Sequence, residues 1–255
     1  MIVRDQENSQ LDQLPQLLSD MQKLANPEKA KLLSRFFKTG KGEYGEEDIF
    51  LGIVVPEQRK IAQKYIELSL PEIQKLLSSK IHEHRLTALI ILTLQYKKAE
   101  KDNKQNQSAT VKTKEDIFNL YLNNTKYINN WDLVDISAPN IVGNYLLNKD
   151  SKDRSILYKL AKSHLWDKRI SILATFAFIR NNQFEDSLKL AEILLNDKYD
   201  LIHKATGWML REIGKRDQSV EEEFLNKHYQ TMPRTMLRYA IEKFDEKKKK
   251  YYMGK

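Results

Sequence analysis

Residues 129–135 concentrate side chains that could do chemistry, because they place one tryptophan beside two carboxylates. A helix beginning at Trp131 would bring Asp135, four residues later, onto the same face as the indole ring. Asp132 falls in the first turn, where the helix dipole favours a carboxylate. Asp135 has no such local explanation, since its neighbours are apolar. Spacing alone leaves two interpretations of Asp135: an ion pair with a neighbouring helix, or a catalytic carboxylate beside an aromatic wall.

Two further segments combine a tryptophan with a nearby arginine. Trp166 precedes Arg169 at a predicted helix start, and Trp208 precedes Arg211 inside another predicted helix. Gly207, next to Trp208, has no side chain and so permits close approach to the backbone. Each segment alone is typical of core packing. Together, three tryptophan-containing segments in a basic helical chain, two of them with an arginine nearby, favour a shared site.

Charge and composition limit the function classes. The 255 residues include 43 Lys and Arg against 35 Asp and Glu, a net charge of +8, which favours an anionic partner such as nucleic acid. With no Cys, disulfides, thiolate metal sites and a cysteine nucleophile are excluded. The first residues do not resemble a signal peptide or presequence, and the apolar runs are too short to span a membrane. We therefore expect a cytoplasmic protein, or a nuclear one if the source is a eukaryote, with no membrane partner.

Two other motif-like stretches do not support different chemistry. Residues 40–45 match a dinucleotide-binding glycine pattern, but they follow a predicted helix and precede three acidic residues, so we predict a flexible loop. His82 and His84 are two residues apart and would point to different faces of a helix, which argues against a metal site. We therefore expect neither a metal nor a cofactor.

Helical periodicity dominates the chain, and 8 Gly and 6 Pro are too few for a protein of many short strands. Only residues 50–55 have some strand character. Helix pairs recurring at roughly 40 residues predict an all-α fold, an α-solenoid of HEAT-like antiparallel helix pairs with a concave basic face. Because no exact repeat is visible, a compact helical bundle is the alternative. We predict one such domain over residues 1–246, and a basic, disordered tail over residues 247–255.

Five blocks of sequence carry a resemblance to a known family. They are residues 26–30, 50–53 with 56–59, 131–135, 165–169 and 204–212. In their order and spacing these blocks resemble the AlkD-type DNA alkylation repair family, which are HEAT-like monofunctional DNA glycosylases. The resemblance covers most of the chain, and its specificity comes from the set of blocks and not from any single motif.

The resemblance implies a role for each matched residue. Asp135 matches the catalytic carboxylate of the family, and Trp131 and Trp208 match two aromatic residues that flank the deoxyribose of the lesion. Arg169 matches an active-site arginine that engages the DNA backbone. Phe36 departs from the family, since the best-known pattern has a tyrosine on the second helix. Phenylalanine lacks the tyrosine hydroxyl, so one polar contact is in doubt.

The resemblance also implies an activity, the excision of 3-methyladenine and 7-methylguanine from duplex DNA. These alkylated purines are cationic and leave without a general acid, so the step requires stabilisation of an oxocarbenium-like sugar, which a fixed carboxylate provides. Most glycosylases flip the base into a pocket. Here the resemblance implies recognition from the backbone side.

We expect a monomer whose partner is double-stranded DNA with alkylated bases. The predicted DNA-binding residues are Lys168, Lys204, Arg211, Lys215 and Phe36. Two other functions stay open. One is a non-catalytic DNA-binding solenoid, and the other is a helical-repeat scaffold for a peptide or protein.

Overall fold

The computed structural model describes residues 13–104 and 113–254, and these residues form helices and no β-strand. The chain packs as two compact units, Met1–Gln95 and Tyr96–Lys255. The all-α prediction is therefore confirmed. The solenoid arrangement, its concave basic face and the single domain over residues 1–246 stay predictions.

The first unit contains four helices and the start of a fifth. They are α1 (Leu14–Lys23), α2 (Pro27–Phe36), α3 (Val55–Lys64), α4 (Leu70–Leu77) and α5 (His82–Lys104), which continues into the second unit. Asn26 caps α2, because its side chain accepts a hydrogen bond from the Lys29 backbone N–H at 3.0 Å. Proline stands at the start of α2, α3 and α4, where its missing N–H costs nothing.

Residues 50–55 do not form the strand that their composition favours. The carboxylate of Glu83 accepts hydrogen bonds from three consecutive backbone N–H groups, those of Leu51, Gly52 and Ile53, at 2.8 to 3.2 Å. A strand would need a neighbouring strand for these donors. A single side chain from α5 satisfies them instead, and the only ladder-like pairing in the described residues is an isolated bridge between Ile49 and Ile81.

In its described residues, the second unit contains eleven further α-helices. They are α6 (Lys114–Asn123), α7 (Trp131–Ser137), α8 (Asn144–Leu146), α9 (Ser151–Leu160), α10 (Leu165–Ala174), α11 (Phe176–Arg180), α12 (Glu185–Ile193), α13 (Asp200–Gly214), α14 (Gln218–His228), α15 (Arg234–Ala240) and α16 (Glu246–Met253). Helix α10 packs against α7, α9 and α13, and α13 packs against α14 and α15. The helices that carry Trp131, Arg169 and Trp208 are therefore adjacent in one packed unit.

The predicted disordered tail is wrong for its described residues. Residues Glu246–Met253 form α16, whose first turn is capped by the Asp245 side chain through the Lys248 backbone N–H at 2.9 Å. Tyr252 is 4% exposed and lies against Phe244, so one aromatic ring anchors a helix whose Lys247 and Lys250 are exposed. A count of positive charges could not show this contact. Residue 255 lies outside the described residues.

Helix α5 extends to Lys104, and residues 105–112 lie outside the described residues. Among the helices that are described, none has both the length and the apolar character needed to cross a membrane.

Candidate functional site

The start of α7 is fixed by local sequence. The Asn130 side chain accepts a hydrogen bond from the Trp131 backbone N–H at 2.8 Å, and Asn130 itself is fully buried. Helix α7 ends at Ser137 and continues into a π-helical turn, Pro139–Gly143. Such turns insert an extra residue into a helix and are frequent at functional sites. The predicted start at Trp131 is confirmed, and Pro139 changes the helical geometry without ending the helical path.

The main contact of the site joins Asp135 on α7 to Arg169 on α10. Arg169 Nε donates to Asp135 Oδ1 at 2.8 Å, and Arg169 Nη2 donates to Asp135 Oδ2 at 2.8 Å. This is the two-point geometry in which a planar guanidinium fixes the plane of a carboxylate. The ion pair with a neighbouring helix that spacing allowed for Asp135 is therefore present, and Arg169 is its partner.

Arg169 is held on a second side by α13. Its Nη1 donates to the backbone carbonyl of Leu201 at 2.7 Å, and only 6% of its side chain is exposed. All three guanidinium nitrogens are thus engaged by protein acceptors. The side chain of Asp135 remains 21% exposed, so the arginine contacts do not seal it from solvent.

The environment of Asp135 acts on its pKa in two directions. Burial raises the pKa of the carboxyl, and the negative charge of Asp132 adds to this effect. The hydrogen bonds and charge of Arg169 lower the pKa, but burial dominates and the net shift is upward. Arg169 therefore opposes the effect of burial and favours the ionised form of the carboxylate.

Gly143 allows the elements carrying this ion pair to approach closely. A Cβ atom at this position would lie 2.2 Å from the backbone oxygen of Ala174 and 2.8 Å from the Cβ atom of Ala177. The π-helical turn that follows α7 therefore packs directly on the backbone at the end of α10. Any larger residue would push α7, and Asp135 with it, away from α10.

Trp208 occupies a defined position in α13. Its indole Nε1 donates to Glu212 Oε1 at 3.1 Å, and its ring centroid lies 5.8 Å from that of Phe176 in a tilted arrangement. Gly207 serves packing here, because a Cβ atom would lie 2.3 Å from the backbone oxygen of Met236 in α15. The close approach inferred from the sequence is thus made by another helix of the same chain.

The family model for DNA alkylation repair enzymes matches residues 17–244. The chain belongs to the DNA alkylation repair enzyme family. A solved structure of a predicted DNA alkylation repair enzyme from Enterococcus faecalis is similar, with a TM-score of 0.64, 16% identity, and coverage of 87% of this chain and 97% of that chain. No curated protein matches.

Membership confirms the recognised family and gives the chain a role in DNA alkylation repair, with DNA as its partner. At 16% identity the Enterococcus faecalis structure supports the fold alone. Within the described part of the chain, no group of three His, Asp or Glu residues is arranged to hold a metal ion.

In this DNA alkylation repair family member, the predicted phosphate-binding residues already have acidic partners. The pairs are Lys168 with Asp197 at 2.6 Å, Lys204 with Asp200 at 2.7 Å, Arg211 with Glu242, and Lys215 with Glu212 at 2.6 Å. Phosphate would have to compete with these carboxylates. The assignment of the four residues to DNA binding stays a prediction.

Phe36 lies in the first unit, at the end of α2. Its side chain is exposed, and its ring contacts Phe37 edge to face at 5.1 Å between centroids. An exposed aromatic ring at a helix end can contact a ligand, and its place in the predicted DNA-binding set stays a prediction.

Some residues around the site were not singled out from sequence. Glu212 holds the indole N–H of Trp208, and the Leu201 carbonyl holds Arg169. The spacing of four residues between Trp208 and Glu212 could have revealed the first contact. The second could not be found from sequence, because any residue type provides a backbone carbonyl.

Proposed function

We propose that this chain is a monofunctional DNA glycosylase that excises cationic alkylated purines, 3-methyladenine and 7-methylguanine, from duplex DNA. The observation that carries the proposal is the two-point contact from Arg169 to Asp135, whose side chain stays 21% exposed. A carboxylate fixed in this way can stabilise positive charge that develops beside it, without reorganising during the reaction.

The substrate class follows from what the site provides. A purine alkylated at N3 or N7 is cationic, so the base leaves as a neutral molecule and the deoxyribose acquires oxocarbenium character. No proton has to be delivered to the leaving base. Asp135 stabilises the developing charge on the sugar and accepts a hydrogen bond from the water that attacks the anomeric carbon. A neutral base carries no positive charge to lose on departure, and we expect its release to be much slower.

The two tryptophans contribute to the same charge stabilisation. Trp131 and Asp135 are four residues apart on α7, which places them on the same helical face. Trp208 belongs to α13, the helix whose Leu201 carbonyl holds Arg169. We propose that both indole faces pack against the deoxyribose of the lesion, each contributing roughly 0.5–2 kcal/mol of cation–π stabilisation.

Recognition through the sugar and backbone is consistent with the net charge of the chain. The sequence carries a net charge of +8, which favours approach of a polyanion. We propose that the enzyme contacts the lesion nucleotide from its backbone side and leaves the alkylated base within the duplex.

The decisive experiment measures release of 7-methylguanine from methylated duplex DNA by the Asp135→Asn variant. Asparagine has nearly the same shape and still accepts a hydrogen bond from Arg169, but it carries no negative charge. We expect release to fall to background while affinity for the duplex stays within a few-fold of wild type. The matched control is Asp132→Asn, which removes the same charge three residues earlier and should release the base at close to the wild-type rate.

Two results would contradict the proposal. Undiminished release by Asp135→Asn would remove the assigned role of this carboxylate. A wild-type protein that binds duplex DNA with a steep salt dependence but releases no alkylated base would be the non-catalytic DNA-binding protein that the sequence also allows.

A further inference from the structure

An open groove of about 530 Å³ lies beside Trp208, between the carboxyl ends of α11 and α13. Its lining residues are Phe176, Ile179, Arg180, Asn182, Glu212, Lys215 and Arg216. Three of these side chains are cationic and one is a carboxylate. The groove therefore has an excess of positive charge in a concave surface, which suits an anionic ligand.

The single carboxylate of the groove is already engaged. Glu212 Oε1 accepts hydrogen bonds from Trp208 Nε1 at 3.1 Å and from Lys215 Nζ at 2.6 Å. Within the described residues, neither Arg180 nor Arg216 forms an ion pair, and both side chains are exposed. Glu212 thus neutralises part of the charge at one end of the groove, and the two arginines keep theirs.

Arg180 is positioned in the groove before any ligand binds. Its guanidinium lies over the ring of Phe176, with 3.9 Å between the guanidinium carbon and the ring centroid. Stacking on an aromatic face restrains the guanidinium while leaving its in-plane N–H groups available as donors. These donors match the oxygen atoms of a phosphate, which arginine binds through two parallel hydrogen bonds.

The aromatic ring beneath Arg180 also contacts the proposed lesion site. The Phe176 centroid is 5.8 Å from that of Trp208. A nucleic acid strand with one sugar against Trp208 would carry its neighbouring phosphates into the adjacent surface. The ends of α11 and α13 favour cations at this position, because the carboxyl end of a helix bears partial negative charge.

We propose that this groove binds a backbone phosphate of the DNA strand that flanks the lesion, with Arg180 and Arg216 as its ligands. This inference rests on the proposed function only for the position of the lesion at Trp208. Binding of a phosphodiester by the groove requires no base release, so an experiment can contradict the groove assignment without contradicting the glycosylase activity, and the reverse.

The test compares binding of undamaged duplex DNA by wild type and by the double variant Arg180→Gln, Arg216→Gln over a series of salt concentrations. Each lost phosphate contact lowers the slope of log affinity against log salt by about 0.9. Because one phosphate contact is lost, we expect the magnitude of the slope to fall by about 1, and the affinity at low salt to fall about tenfold or more. Both substitutions are at exposed positions, so the variant should keep its fold, which a thermal midpoint verifies.

The matched control is the double variant Lys152→Gln, Lys159→Gln, which removes two positive charges from exposed positions on α9. Its slope should equal that of wild type. Equal losses in both double variants would mean that net charge and not the groove determines binding, and this result would overturn the inference. An unchanged slope in the groove variant would overturn it as well.

A second arm distinguishes DNA from small phosphate ligands. Inorganic phosphate is titrated at constant ionic strength while the fluorescence of wild type and of the groove variant is followed. Saturable phosphate binding that the groove variant loses, together with unchanged DNA binding, would identify a small-anion site and contradict the DNA assignment. If wild type releases no 7-methylguanine but the groove variant still loses salt dependence, the proposed glycosylase fails and the groove assignment stands.

Discussion

Arg169 and Asp135 meet through two hydrogen bonds of 2.8 Å each, across the interface between α10 and α7. An ion pair and a catalytic carboxylate were alternative interpretations of Asp135 from the sequence. The geometry makes them compatible, because Arg169 occupies one side of the carboxylate and the side chain of Asp135 is still 21% exposed. The same contact fixes the orientation of the acid and opposes the increase in its pKa caused by burial.

The first prediction concerns Arg169→Lys. Lysine keeps the charge but cannot make the two-point contact, so the carboxylate loses its fixed orientation. We expect release of 7-methylguanine to fall about 10²-fold, the typical cost of misplacing a catalytic group by about 1 Å. The variant also loses hydrogen bonds that lower the pKa of Asp135, so this pKa should rise. Because activity needs the ionised acid, the acidic limb of the pH profile should move to higher pH.

The control for this variant is Arg154→Lys. Arg154 pairs with Asp186 at 2.9 Å in the same unit and therefore tests the general effect of weakening an arginine–carboxylate pair. It should change stability while leaving the pH profile of base release unchanged. If Arg169→Lys shows the wild-type profile, then Arg169 does not hold Asp135 in its reactive state.

The second prediction concerns the aromatic faces of Trp131 and Trp208. Replacement of either by Phe keeps a ring face, whereas Leu removes it and preserves apolar volume. If the rings stabilise positive charge on the sugar by roughly 0.5–2 kcal/mol each, the Leu variants should release the base about 2- to 30-fold more slowly. The Phe variants should release the base at rates between those of wild type and the Leu variants. Equal rates for Phe and Leu would show that the indoles act by shape alone.

Local signals in the sequence predicted the helix starts, since a cap or an initial proline acts within a few residues. Asn26, Thr113 and Asn130 each cap the helix that follows, and each is a residue type favoured at that position. The contact between Asp135 and Arg169 spans 34 residues, and no local rule identifies such a pair. Spacing indicated that Asp135 needed a partner, and the resemblance named Arg169 only as a ligand of DNA.

Where the sequence interpretation failed, long-range contacts decided the structure. Residues 50–55 have strand-forming side chains, but the carboxylate of Glu83 binds their backbone N–H groups. The lysine-rich end of the chain is helical because Tyr252 is buried. Both outcomes depend on one side chain that packs against a distant segment, which composition cannot reveal.

The third prediction concerns Gly207→Ala. In a helix interior this change alone should stabilise the protein by about 1 kcal/mol. Here the new Cβ atom would lie 2.3 Å from the backbone oxygen of Met236, and backbone atoms can move only if α13 and α15 separate. We expect a net destabilisation of about 1–3 kcal/mol, measured by chemical denaturation, and slower base release because Trp208 is displaced.

Lys204→Ala is the control for Gly207→Ala, since it adds alanine to the same helix at a position without close packing. Its free energy of unfolding should change by less than about 0.5 kcal/mol. A Gly207→Ala protein that is as stable as wild type would show that the contact between α13 and α15 is not as close as the geometry indicates.

The fourth prediction concerns Glu221, which is buried in α14 with its Oε1 atom lacking a hydrogen-bond partner. Burial raises the pKa of this carboxyl from 4.5 to about 9, the negative charge of Glu222 adds to the increase, and Arg211 opposes it. A raised pKa means that folding favours the protonated acid. Its contribution to stability is therefore complete below pH 4.5 and is lost as the pH rises through 9.

Glu221→Gln keeps the neutral form at every pH and avoids this loss. The thermal midpoint of the variant minus that of wild type should therefore increase steadily between pH 5 and pH 9. The new amide adds a difference that does not change with pH, so it does not affect this trend. Glu223→Gln is the control, because Glu223 is exposed and its pKa is lowered by Lys227, so that variant should show no such gain. A difference between Glu221→Gln and wild type that stays constant over this range would mean that Glu221 is ionised in the folded protein, with Arg211 compensating its burial.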